Sequence, residues 1–323
     1  MPWSVQIRSR PEDFQVEEIP AYIPSGDGPH LYLWVEKRDL KHGEMLRLIS
    51  RFCGVRMRDI GTAGRKDDAA VTRQFVSIPL QDGVEPGPVS DQLNVLEISR
   101  HSNRLKTGHL RGNRFRITAR GEEPFGPQAV EAIAERLSLL EVTGFPNYFG
   151  PQRFGGTGEG VARAVANLTS GRQRKSHSAR FEMSVVQSAV FNLVLRERVI
   201  GQRLTPEPGD VVIRKGGLRP FAFDDRGDTP AEALVPAGPM PGRRMAVASG
   251  EPKATELRAI EQCGVSDELF ESHRKLAPGT RRPLVQFFGR PTVELDSTAN
   301  LVLEFDLPPG TYATAGLREL FAD

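Results

Sequence analysis

The segment Gly61-Thr-Ala-Gly-Arg-Lys-Asp-Asp-Ala-Ala-Val-Thr-Arg-Gln74 passes from small residues to a basic pair, then to two acids. It leads straight into an alternating apolar run, Phe75-Val-Ser-Ile78. Glycines at 61 and 64 permit a tight turn or a close approach to a ligand. Lys66 beside Asp67 offers a cation that keeps a carboxylate ionised, the state that nucleophilic or base chemistry requires. A phosphate loop is a poor fit, because that motif wants Gly-Lys-Ser/Thr and here an acid follows the lysine. The segment therefore reads as a reactive aspartate on a loop. The plainer reading, on local pattern alone, is a surface ion pair.

Such a carboxylate needs a scaffold, and the chain is long enough to build one. Its 323 residues can bury a sizeable core and fill two ordinary domains. Charged residues make up 26% and hydrophobic residues 38%, with no apolar run near the length of a membrane span. The start, Met-Pro-Trp-Ser-Val-Gln-Ile-Arg, lacks a basic region followed by an apolar one, so no secretory signal is expected. Cys53 and Cys263 stand far apart and the six histidines show no ligand spacing. A cytoplasmic protein with no metal and no cofactor is the expectation.

A net charge of +2 does not announce a nucleic-acid partner, but the distribution of charge does more. Ser99–Gly121 contains no acid and carries Arg100, Arg104, Lys106, Arg111, Arg114, Arg116 and Arg120. Gly160–Phe181 is likewise acid-free and carries Arg163, Arg172, Arg174, Lys175 and Arg180. Clusters of this kind bind phosphate backbones, and arginine's planar fork can hold two phosphate oxygens. Either cluster alone reads as a solvated face balanced by acids elsewhere. Together they favour RNA.

Periodicity supplies the elements. Strands are expected at 31–35, 75–78, 95–98, 115–118 and 301–305. Helices are expected at 44–52, 128–140, 184–199, 254–262 and 267–275, with a last one at the C-terminal end. From Gly201 to Pro252, eight prolines punctuate short strand-like pieces, which reads as irregular β structure in a separate subdomain. The mixture lacks a βαβ rhythm and points to an α+β fold.

Several strings resemble the tRNA pseudouridine synthase D (TruD) family. Ala63-Gly-Arg-Lys-Asp67, with Ala70-Val-Thr72 and Gln74, is similar to its catalytic signature, and Pro146-Asn-Tyr-Phe-Gly-Pro-Gln-Arg-Phe-Gly155 to its second hallmark. Pro11-Glu-Asp-Phe-Gln-Val-Glu17, Gly112-Asn-Arg-Phe115, Val235-Pro-Ala-Gly-Pro-Met-Pro-Gly242 and Leu307-Pro-Pro-Gly-Thr-Tyr-Ala-Thr314 resemble further family motifs, so the likeness covers nearly the whole chain. It implies a catalytic domain, 1–143 and 287–323, with a mixed, mainly antiparallel sheet flanked by helices. It implies an inserted α/β domain at 144–286, with tRNA lying in a cleft between the two.

The implied reaction isomerises uridine-13 of tRNA to pseudouridine, detaching uracil at N1 and rejoining it through C5. Asp67 matches the essential aspartate, with attack at C1′ and proton removal at C2′ both open. Phe14, Asn113 and Tyr312 match positions that contact the extruded base, although on pattern alone core packing is the commoner role for the two aromatics and a turn is a common one for Asn113. Lys66 and Arg65 are expected to keep Asp67 ionised and to hold the neighbouring phosphate. Arg8, Gln152 and Arg153 complete the expected substrate contacts. Two departures from the family stand out: Arg8 replaces a frequent lysine and His42 a frequent threonine. The expected partner is tRNA, met by a monomer away from membranes. A broader RNA target, or a silent RNA-binding protein, remains an alternative.

Overall fold

The computed structural model describes residues 4–155, 159–170, 176–227 and 229–322. Along the chain come β1 (Val5–Gln6), β2 (Phe14–Pro20), β3 (His30–Arg38), α1 (His42–Phe52), β4 (Gly61–Thr62) and β5 (Val71–Pro79). Then follow β6 (Gly87–Ser90), β7 (Leu93–His101), β8 (Leu110–Gly121), α2 (Pro127–Thr143) and β9 (Phe145–Pro146). The middle holds α3 (Gly160–Thr169), α4 (Ser176–Ile200), β10 (Val211–Arg214), β11 (Pro220–Ala222), β12 (Leu234–Met240), α5 (Gly250–Gln262) and α6 (Asp267–Ser272). The chain closes with β13 (Thr280–Pro283), β14 (Val285–Gln286), β15 (Gly289–Leu295), β16 (Leu301–Leu307) and α7 (Ala313–Phe321).

The chain divides into two compact units, one of residues 1–143, 287–313 and 320–323, the other of 144–286 and 314–319. In the first, a sheet runs in the order β15-β16-β8-β2-β5-β3-β7-β6, with β1 added on β8 and β4 on β5. Its pairings are antiparallel except β2 with β5, so the sheet is mixed and mainly antiparallel. The alternation that predicts β3 is the cause of its burial: Leu31, Leu33 and Val35 face inward. They pack with Met45 and Ile49 of α1 and with Val76, Ile78 and Val95 of the neighbouring strands. Beside this core, Phe14, Phe115, Phe305 and Phe288 form a chain of aromatic contacts with centroid separations of 4.8–6.0 Å across β2, β8 and β16.

In the second unit α3, α4, α5 and α6 share an apolar core built on Ala164, Leu168, Val186, Val190, Ile260 and Phe270. The proline-punctuated middle resolves into a sheet ordered β11-β10-β12-β13, all antiparallel. Its charged braces are internal: Arg198 grips Asp210 at 2.9 Å, and Arg281 holds Glu256.

Strands β2 and β15 and helix α3 are additions to the pattern read from sequence, and α4 begins eight residues earlier than the expected 184. In β2 the inward position 18 is a glutamate, and in β15 Pro291 interrupts the run, which breaks an alternation judged on hydrophobicity alone.

Gly61 owes its identity to packing rather than to a turn. A Cβ there would lie 2.3 Å from the Leu105 carbonyl oxygen and 2.5 Å from Ser77 Oγ, whereas at Gly64 it would meet open space. Gly61→Ala should therefore destabilise the first unit by roughly 1–3 kcal/mol, read as a lower denaturant midpoint, while Gly64→Ala should leave that midpoint in place.

Candidate active site

The loop from Ala63 to Ala70 leaves β4 and enters β5, and it is pinned from below by two buried lysines. Lys66 reaches inward, its ammonium 3.0 Å from Glu18 of β2 and donating to Asn113 Oδ1 of β8 at 2.6 Å. Glu18 and Asn113 are directly opposite one another in the β2–β8 register. Lys37 of β3 is wholly buried and donates to the Leu40 carbonyl at 2.8 Å and to the Asp67 carbonyl. Burial disfavours the charged form of both lysines and pulls their pKa values down, while the facing acids oppose that shift. The same burial raises the pKa of Glu18, against the pull of Lys66.

Pinning residues 66 and 67 in this way leaves the Asp67 carboxylate at the surface of the sheet. Its Oδ1 accepts from Arg8 Nη2 at 3.0 Å, and about a third of the side chain is exposed, at 32%. The Arg8 guanidinium in turn lies 3.9 Å from the centre of the Phe14 ring. Arg8 thus spans from an aromatic face to the carboxylate. Phe14 itself is buried, edge-on to Phe115 at 6.0 Å.

Of the expected residues, Arg8 meets both Asp67 and Phe14, and Lys66 and Asn113 meet each other at a partly buried hydrogen bond. The partner of the Asp67 carboxylate differs from the sequence expectation. Lys66 is drawn to Glu18, Arg65 bonds Asp68 at 2.8 Å, and the cation on Asp67 is Arg8, which is 59 residues away in sequence. Lys66 is consequently enclosed rather than presented to a phosphate. Tyr312 is half-buried on the segment leading into α7. Gln152 and Arg153 sit in the second unit on the turn Pro151–Phe154, where Arg153 donates to Ser188 Oγ at 3.1 Å. His42 begins α1, and its backbone N–H donates to Asp68 at 3.3 Å. Burial lowers the His42 pKa, with Arg65 and Lys37 adding to the effect and Asp68 opposing it.

Glu18 and Lys37 escaped the sequence reading although a signal exists for each. Glu18 continues the inward register of Phe14 and Val16, and Lys37 that of Leu33 and Val35. A charge at an inward position of a strand needs a buried partner.

The first acid-free stretch changes meaning once folded. Arg114 and Arg116 lie directly opposite Asp306 and Glu304 of β16 and pair with them, and Arg120 binds Asp13 at 2.6 Å. Arg100 and Arg104 donate to the backbone carbonyls of Gly28, Arg58 and Ile60. Arg100, Arg104, Lys106, Arg111 and Arg114 are exposed, and of these the Lys106 and Arg111 side chains make no hydrogen bond or ion pair among the described residues. In the second stretch Arg163 and Arg180 are exposed, while Arg172, Arg174 and Lys175 lie outside the described residues.

Among the described residues no group of three or more His, Cys, Asp or Glu side chains comes together as a metal site, and no helix is long and apolar enough to cross a membrane.

Comparison with known proteins matches the family model for tRNA pseudouridine synthase D (TruD) at residues 2–168 and 179–320. The chain is similar to the tRNA pseudouridine synthase D of Anaeromyxobacter dehalogenans, with 39% identity over 97% of this chain and 92% of that protein. With its counterpart from Thermus thermophilus it shares 37% identity over 98% of this chain and 88% of the other. The fold is similar to the crystal structure of a Methanosarcina mazei protein assigned as a tRNA pseudouridine synthase D. That match has a TM-score of 0.74 at 24% identity, covering 100% of this chain and 94% of that one.

Two measurements check the electrostatics of the site. Lys66→Met should cost about 3–5 kcal/mol, because it strands the Glu18 carboxylate in the interior. Adding Glu18→Gln should recover much of that loss in denaturant titrations, and equal losses in the single and double variants would show that the two are not coupled. His42, neutral in the fold, contributes stability that is complete above the unfolded histidine pKa of about 6.5 and declines as pH falls below it. In His42→Gln the unfolding midpoint should fall less steeply between pH 6.5 and 5 than in the parent protein.

Proposed function

The chain belongs to the tRNA pseudouridine synthase D (TruD) family, and on that premise we propose that it isomerises uridine-13 of tRNA to pseudouridine with Asp67 as the catalytic carboxylate. The observation that carries the assignment is Asp67 itself. It stands within the signature string, its main chain is pinned by Lys37, and its carboxylate is partly exposed and paired with Arg8 against the Phe14 ring.

Each part of that arrangement suits the reaction. The uridine must leave its stack to reach the carboxylate, at a cost of about a few kcal/mol. An aromatic face beside the carboxylate offers a new stacking partner, and Phe14 is that face once Arg8 moves off its ring. Arg8 stabilises Asp67 as an anion until substrate arrives, and is then free to turn to the phosphate next to the target. Asn113, held by Lys66, and Tyr312 are the further base contacts in this reading. Attack on C1′ and removal of the C2′ proton both need the same ionised carboxylate. Residues 144–286, the larger part of the second unit, serve as the family-specific inserted domain and contribute Gln152 and Arg153 to tRNA binding. The protein works as a monomer in the cytoplasm.

Asp67→Asn is isosteric but can act neither as nucleophile nor as base. It should bind tRNA with near-parental affinity and release no tritium above background from 5-tritiated uridine in tRNA. Parental turnover in that variant would remove Asp67 from the mechanism, and tritium release at a different uridine would redirect the substrate assignment.

A further inference from the structure

The second unit carries a basic pocket that neither acid-free stretch of sequence reveals. It has a volume of about 460 Å³ and is lined by Arg243, Arg244, Arg274, Lys275 and Pro278. Two dipeptides some thirty residues apart in sequence supply its four cations, and all four are exposed. The loops that carry them are zipped together by main chain. The Arg244 N–H donates to the Pro278 carbonyl at 2.7 Å. A Cβ on Gly242 would lie 2.4 Å from the Ala277 carbonyl oxygen, so only glycine permits this approach. The platform is therefore set by the backbone and does not depend on the cations it presents.

These four cations differ from the bracing arginines of the same unit. Arg198 is held by Glu207 and Asp210, Arg258 by Glu197 and Glu251, and Arg281 by Glu256. None of the four pocket cations has a carboxylate within ion-pairing distance among the described residues. Four like charges converging on one concavity repel one another and focus a positive potential there. The opposing charge must come from outside the unit. Arginine forks combined with a lysine suit the oxygens of successive phosphates.

We infer that this pocket is a binding site for the sugar-phosphate backbone of RNA, contacting phosphates without reading bases. The inference rests on tRNA being the substrate and adds to it a contact surface in the second unit. Phosphate contacts of this kind position a nucleic acid and supply affinity, while sequence is read elsewhere.

The test compares two charge-matched variants of the full chain against an unmodified tRNA transcript. Arg244→Ala with Arg274→Ala takes one cation from each loop. Arg219→Ala with Arg226→Ala removes two exposed arginines elsewhere in the unit. The pocket variant should raise Kd at least about tenfold at moderate salt and make the salt dependence shallower by roughly one unit of slope per lost contact. Its turnover at saturating tRNA should be retained, because KM carries the loss. The control variant should stay near the parent. Unchanged Kd and slope in the pocket variant, or equal losses in both variants, would overturn the inference. Tritium release is read separately: a parent protein that binds tRNA through the pocket yet releases no tritium would overturn the proposed reaction and leave this surface standing.

Discussion

Two lysine ammonium groups taken out of water hold the candidate site in place. Lys66 and Lys37 flank the loop at the point where Asp67 leaves it, one tied to Glu18 and Asn113 and the other to the carbonyls of Leu40 and Asp67. Desolvating an ammonium costs several kcal/mol, recovered only with close partners in good geometry. Each lysine therefore has little freedom to settle elsewhere, and the main chain between them inherits that restriction. The direction of the Asp67 side chain follows from where its neighbours are anchored.

The same economy of charge divides the role of pairing from that of binding. On β8 the arginines face acids across the β16 register, so a run that looks cationic in sequence is largely neutralised on the folded sheet. In the second unit the cations at Arg198, Arg258 and Arg281 brace the fold, whereas those of the 243–244 and 274–275 loops are exposed, with no acid paired to them among the described residues. Contiguity in sequence is a poor guide to electrostatic surface, because a strand places alternate residues beside another strand's side chains.

Arg8 links the site to the aromatic chain of the core. Its guanidinium rests on Phe14, which abuts Phe115, which stacks on Phe305 at 5.5 Å. The surface beside Asp67 is therefore backed by packed rings, whose low compressibility leaves a side chain at their edge as the group able to rotate. Arg8 is such a group, being partly exposed.

The sequence by itself determined the α+β class, a strand over 31–35 and a helix over 44–52, and the residue type and position of Asp67. Periodicity and a distinctive motif are local properties, and both survive folding unchanged. It also placed Phe14 and Asn113 among the candidates, through motif likeness alone. Only the tertiary structure decided which cation meets the Asp67 carboxylate, that Glu18 and Lys37 belong to the site, and which basic residues are left without acids. Those are pairings between strands and loops distant along the chain. Their choice depends on strand register and on the cost of leaving a buried charge alone, neither of which is written in the order of neighbouring residues.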